Sequence, residues 1–246
     1  MKMKMMLFVV AIIALATAAN AEVINVNMYA NLGDSSLPDP ALLDGPAGGL
    51  GETWNQFNTA TGSGLLDSTG TTTTVGFTNS VLTRGAWNWG SPALDLIKAG
   101  RAQFNKGADT THTITGLTAG GVYDIWVASY ASNTALAERA MGEWSTSNST
   151  TTVGTQMIDT RAGLINDTWE YGVNYVLFEN VEADTNGEIT FLGDAADGTI
   201  EVPEYGETYD TRLHLNGFQI QAVPEPATMA LLGLGGLGLI RRRRNG

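Results

Sequence analysis

The 246-residue chain contains no cysteine. Disulfides, thiol nucleophiles and cysteine-ligated zinc are therefore excluded, and any fold must be held by its core or by bound metal. Histidine is nearly as scarce. His112 and His214 stand alone, too few for a histidine-rich metal site without carboxylates. Basic residues are also few. Of 13 Lys+Arg, six lie at the two ends (Lys2, Lys4 and Arg241 to Arg244), so seven face 24 acids between Glu22 and Ala222, a net charge near −17. That balance opposes nucleic acid, whose affinity comes from neutralising phosphates with Lys and Arg, and anionic lipid for the same reason. It suits a soluble extracellular protein, a divalent-cation binder, or both. No apolar run reaches the ~20 residues that a membrane-spanning helix needs.

The two ends are signals rather than fold. Lys2 and Lys4 form a positive start, Met5 to Ala16 an apolar stretch, and Ala19-Asn20-Ala21 a small-x-small cleavage site. Residues 1–21 therefore read as a secretory signal peptide, cut by signal peptidase after Ala21 so that the mature chain begins at Glu22. At the other end stand Val223, Pro224, Glu225 and Pro226, then the 14-residue apolar run Ala227 to Ile240, then Arg241, Arg242, Arg243 and Arg244. Four glycines weaken a helix in that run, and the arginines hold its end on the cytoplasmic side. The arrangement resembles the PEP-CTERM sorting signal of Gram-negative bacteria that make extracellular polysaccharide. The resemblance covers Val223 to Arg244 and implies a membrane protease, an exosortase, as a partner that processes the tail near the Pro-Glu-Pro motif. An ordinary C-terminal anchor is the alternative. The expected location is outside the cytoplasm: held for a time in the inner membrane, then at the cell surface or in the matrix.

Between the signals, residues 22–222 form one expected domain, with 223–246 as the tail. The stretch is rich in Thr, Gly, Asn and Ser, and strand-like runs recur between turns. Val23 to Tyr29 alternates apolar and polar, the period of a half-buried strand. Val122 to Tyr130 is apolar enough for a central strand, with Val122, Trp126 and Ala128 on one face and Tyr123, Ile125 and Val127 on the other. Asn186-Gly187 marks a tight turn. Leu213 to Ile220 closes the domain and is expected to lie close to the first strand. Short helices are expected around Pro92 to Ala99 and Thr134 to Met141. The fold class is therefore mainly β, an antiparallel β-sandwich or jelly roll flanked by an N-terminal signal helix and a C-terminal hydrophobic helix. Several phrases (Gly51 to Asn55, Leu66 to Gly70, Gly116-Leu117 with Gly120 and Tyr123, and Leu215 to Ile220) resemble the galactose-binding-like β-sandwich that often precedes this tail. That resemblance implies a fold and a setting, not an activity.

No catalytic residue stands out. Gly33-Asp34-Ser35 invites comparison with serine esterases, but the late pair Asp210 and His214 is four apart, His214 sits in a strand, and the helices such enzymes need are missing. His112 is flanked by threonines and reads as a surface position. A glycosidase needs two acids facing each other roughly 5 to 9 Å apart. Glu138, Glu143, Glu170, Glu179 and Glu182 are all available and none is singled out. No cofactor is demanded. A structural Ca²⁺ is the one ion that the loops suit, through Asp184, Asn186 and Glu188, or Asp194 and Asp197, although a hairpin turn explains the first group equally well.

Six tryptophans are the best binding signal. Trp126 is expected in the core. Trp87 and Trp89 would share one face of an extended segment, a platform on which sugar rings could stack, with Asn88 and Arg84 nearby for hydroxyls. The alternative is that they cap the core. Trp54 is expected to pin the Gly-rich loop Gly45 to Gly51, while Trp144 and Trp169 sit in loop-like surroundings where they could line a groove. The reading is an exported, non-catalytic module that binds or is embedded in extracellular polysaccharide. A secreted carbohydrate-active hydrolase is the runner-up.

Overall fold

The computed structural model describes residues 22–28, 44–49, 52–57, 59–80, 102–105, 110–129, 141–146, 156–159, 169–195, 199–202, 207–210 and 212–224. These form two principal sheets. One has the order β10 (Tyr175–Glu182), β7 (Val122–Ala128), β15 (Gly217–Ala222), β1 (Ile24–Met28), β2 (Trp54–Phe57). The other runs β3 (Thr61–Ser63), β4 (Gly76–Asn79), β6 (Thr110–Thr115), β11 (Ile189–Ala195), β8 (Met141–Thr146), β9 (Gln156–Asp159). Two ribbons complete the set, β12 (Thr199–Val202) with β13 (Glu207–Asp210), and β5 (Ala102–Asn105) with β14 (Arg212–Leu215). Among the described residues the pairings are antiparallel except β1–β2, which is parallel.

The first and last strands pair, Ile24 with Ile220 and Asn27 with Gly217, as the sequence suggested. β7 lies inside its sheet between β10 and β15. Its faces divide as the alternation implies: Tyr123, Ile125 and Val127 enter the core, while Val122, Trp126 and Ala128 lie on the other side. Trp126 is thus not a core residue. It is half-buried on the outer face.

One apolar cluster fills the space between the sheets, drawing Val26, Ile125, Val176 and Phe218 from the first and Phe77, Ile114, Trp144 and Phe191 from the second. Four phenylalanines cross it by turns. Phe57 meets Phe77 at 5.0 Å and 76°, Phe77 meets Phe218 at 5.9 Å and 79°, and Phe218 meets Phe191 at 6.0 Å and 65°. Each ring presents an edge to its neighbour's face, the favourable quadrupole geometry, and each contact joins one sheet to the other.

Two readings of local structure change. β1 is covered on both faces, so Asn25 and Asn27 are fully buried rather than solvated. The alternation was real, but the polar positions meet a second layer instead of water. Met141, expected at the end of a helix, opens β8. The expected helices over Pro92 to Ala99 and at both termini, and Thr134 to Ala140, lie outside the described residues. Among the described residues no helix is long and apolar enough to cross a membrane.

Candidate functional site

Ala19, Ala21, Arg84, Trp87, Asn88, Trp89, Asp197, Glu225, Pro226 and Arg241 to Arg244 lie outside the described residues, as do Gly33-Asp34-Ser35 and Glu138. Val223 and Pro224 are described: Val223 N–H donates to the Val122 carbonyl at 2.8 Å, and Pro224 beside it is exposed. The first two tail residues thus follow β15 directly.

The loop proposed for calcium is a hydrogen-bonded turn. Asp184 Oδ1 accepts the backbone N–H groups of Asn186 (2.8 Å) and Glu188 (2.9 Å), and Asn186 Nδ2 approaches Asp184 Oδ2 at 3.4 Å. Gly187 takes φ 74° against the Leu117 backbone, a position that a side chain could not share. Asp194 is exposed in β11, opposite Glu143 of β8. Among the described residues no three His, Cys, Asp or Glu side chains gather as a metal site. The Asp184→Ala variant should lose about 1 kcal/mol through its uncapped amides, and millimolar Ca²⁺ should leave the melting temperature of the parent unchanged. A calcium-dependent rise in melting temperature that Asp184→Ala abolishes would make the turn an ion site instead.

His112 is not at the surface. It is 1% exposed, stacked on Phe191 at 5.1 Å and 21°, with Trp144 at 5.6 Å. Its Nδ1 lies 2.9 Å from Asn79 Oδ1 and its Nε2 3.0 Å from Thr110 Oγ1. Asn79 Oδ1 can only accept, so Nδ1 carries the proton and Nε2 accepts from the Thr110 hydroxyl. Burial lowers the imidazole pKa to about 3. His112 is a neutral core group. Flanking threonines misled the sequence reading because Thr111 and Thr113 sit on the other face of the strand, and only Thr110 shares the inner face with His112. Trp144 is likewise fully buried in β8 rather than lining a groove.

The acids offer one close pair among the described residues with linked titrations. Asp67 raises the pKa of Glu22 beside it, while the Thr69 hydroxyl, 3.3 Å from Glu22 Oε2, works against the shift. Burial alone would raise Asp67, but Thr69 and Thr71 outweigh it and hold it below the usual range. Asp67 Oδ1 accepts Thr69 N–H (3.0 Å), the Thr69 hydroxyl (2.7 Å) and Thr71 N–H (2.9 Å). This is a turn built on a carboxylate.

The features that converge are on the outer face of the five-stranded sheet. The ladders place Tyr175, Ala128, Gly217, Asn27 and Gln56 in one row across it, and Leu177, Trp126, Gln219, Asn25 and Trp54 in the next. The second row is tied down. Asn25 Nδ2 donates to Glu52 Oε2 and to the Thr53 carbonyl, both at 3.1 Å, and Asn25 Oδ1 accepts from Gln219 Nε2 at 2.7 Å. Gln219 also holds the 44–49 segment, through Ala47 N–H (2.9 Å) and the Gly48 carbonyl (2.8 Å). Trp54 pins the same segment as expected, its indole N–H donating to the Gly49 carbonyl at 3.0 Å. Over the first row, Trp54, Ala128 and Trp169 form a second apolar cluster. Beside it Trp169 meets Tyr175 edge-on at 6.3 Å, and Tyr175 meets Tyr171 at 5.8 Å and 74°. Tyr171 is 55% exposed, the one exposed large apolar side chain among the described residues. Tyr175 is raised in pKa by burial and then by Tyr171. Sequence reasoning missed this strip because Tyr171 and Tyr175 are four apart in a turn, where neither strand nor helix spacing applies.

Comparison with known proteins bears on the C-terminal tail. A solved complex of the plant peptide RALF23 with FER and LLG2 has a chain similar to this one at TM-score 0.37 and 11% identity, over 84% of this chain and 41% of that one. This chain thus spans less than half of that chain's length. No curated protein matches. Residues 222–244 match the PEP-CTERM protein-sorting motif. That span begins where β15 ends, and it includes the Pro-Glu-Pro segment, the apolar run and the four arginines. The chain is therefore an exported protein that carries a PEP-CTERM sorting motif and is handled by an exosortase.

Proposed function

We propose that this protein is a non-catalytic module associated with extracellular polysaccharide, docking through the aromatic strip on the outer face of its five-stranded sheet. The 22–222 region is then one galactose-binding-like jelly roll, consistent with its adjacent first and last strands. Exported and held briefly in the inner membrane, it ends at the cell surface or in the matrix. The observation that carries the reading is Tyr171, exposed and edge-on to Tyr175, which is in turn edge-on to Trp169. Such rings offer apolar faces to the C–H faces of sugars, and Tyr adds a hydroxyl.

The hydrolase alternative finds less support. Asp67, the acid beside Glu22, spends its Oδ1 on Thr69 and Thr71 of its own turn. The test is retention of the exported protein on immobilised polysaccharides, after purification in a detergent without a sugar headgroup. Tyr171→Ala should weaken retention fivefold to tenfold, about 1 kcal/mol, and leave the melting temperature unchanged. No retention on any polysaccharide by a folded protein would remove the reading in favour of a purely structural role.

A further inference from the structure

The two neighbouring rows of the outer face treat their amides differently. Asn25 and Gln219 spend both ends of their carboxamides on named partners. Asn27, two residues along β1 on the same face, is 0% exposed, yet neither its Nδ2 nor its Oδ1 has a hydrogen-bond partner. Two more buried groups at that end of the sheet are equally unspent. Ser129 is 0% exposed with a free Oγ, immediately after β7, and the Trp169 indole N–H is buried without an acceptor. A buried amide left unpaired destabilises a fold, so each such group calls for a cause. Here Asn27 stands near the end of β1, Ser129 follows the end of β7, and Trp169 packs against the cluster of Trp54 and Ala128.

The shape of the row agrees with a ligand. Gly217 and Ala128, between Asn27 and Tyr175, contribute no more than a methyl group to the face. Three inter-strand spacings, ~14 Å, thus separate Asn27 from Tyr175 with little side chain between them. Trp54 clusters with Ala128 in that row, and its indole N–H is held by the Gly49 carbonyl. Gly48 and Gly49, beside that carbonyl, sit at φ 86° and 126°. The chemistry of the unspent groups is neutral: a carboxamide that both donates and accepts, a hydroxyl, and an indole donor. Among the described residues the basic one is Arg212, in β14, and the domain's charge near −17 repels anions.

We propose that this end of the sheet is a binding site for an uncharged polyol ring. Asn27 bonds a pair of neighbouring hydroxyls through Oδ1 and Nδ2, and Trp54 moves off Ala128 to admit the ring. The proposal rests on the polysaccharide reading and narrows it to neutral sugars, excluding uronates and sulfated glycans.

The test uses the exported protein in the same sugar-free detergent, titrated with a neutral β-glucan hexasaccharide, galactose, mannose and, as the anionic control, polygalacturonate. Tryptophan emission reports Trp54, and the Asn27 side-chain amide resonance reports the site directly. At least one neutral sugar is expected to bind and to shift both signals, while polygalacturonate shifts neither. Asn27→Leu should weaken binding at least tenfold, with a urea midpoint at or above that of the parent, because an unpaired buried amide has been removed. Neutral-sugar binding that Tyr171→Ala weakens but that leaves the Asn27 resonance unmoved would overturn the site and keep the polysaccharide reading. This readout holds even if Asn27→Leu fails to fold. Preference for polygalacturonate would overturn the site as well. Binding to none of the probes, with no retention on any polysaccharide, would remove both.

Discussion

Lowering the pH from 7 to 4 is expected to destabilise this protein by roughly 3 kcal/mol through His112 alone. Unfolded, the imidazole takes up a proton near its ordinary pKa of 6.5. Folded, it stays neutral until about pH 3, because burial disfavours the cation. The unfolded state thus binds more protons throughout that window. Stability is full above pH 6.5, falls as pH drops, and stops falling below about 3, where both states are protonated. Asp67 acts in a lower window: its depressed pKa adds stability that is present above about 3.8 and is lost as pH falls below it. Between pH 6.5 and 5 the ordinary carboxylates stay ionised, and Glu22, with its raised pKa, works in the opposite sense, so a loss of stability there belongs to histidine. The measurement is the urea midpoint as a function of pH in the parent and in His112→Asn. The parent should lose midpoint steadily over that interval, and the variant, weaker at pH 7, should run nearly flat. Equal slopes would mean that His112 titrates normally and is not sealed in the core.

Replacement of Phe218 by alanine should cost about 4 kcal/mol, a large share of the 5–15 kcal/mol that holds a typical domain. Phe218 is 1% exposed and lies on β15, yet both its ring partners, Phe77 and Phe191, belong to the opposite sheet. Its removal therefore opens a cavity between the layers and breaks two edge-to-face contacts, each worth about 0.5–1.5 kcal/mol. With no disulfide in the chain, nothing covalent limits the damage. Phe57→Ala, at the partly buried end of the same row, should cost clearly less. The check is a urea titration with unchanged slope and a shifted midpoint. A Phe218→Ala loss below about 2 kcal/mol would show that the core collapses around the gap.

What could be read without coordinates followed from local rules. The sorting tail is a linear signal, recognised by residue type and order, and the family match at residues 222–244 agrees with it. The strand character and face division of β7, the Asn186-Gly187 turn and the Trp54 pin each depend on neighbours close in sequence or on a period of two. Charge and the absence of cysteine needed only counting.

Burial, by contrast, was decided by partners far along the chain. Asn25 and Asn27 looked like a solvated face because polar alternation says only that one side differs from the other. Whether water or protein meets that side depends on residues such as Trp54 and Gln219, the latter 194 positions from Asn25. Trp126 and Trp144 exchanged places for the same reason: hydrophobicity does not state which face of a sheet is inner. His112 became a core group only when Asn79, Thr110, Trp144 and Phe191 closed around it. The candidate site is likewise a product of register, since Tyr175, Ala128, Gly217 and Asn27 come from four strands that share a row. The sequence by itself determined where the protein goes and that it is built of strands, because those are properties of contiguous segments. The tertiary structure alone decided which polar groups are sealed, satisfied or left unspent, because that depends on what packs across the sheet.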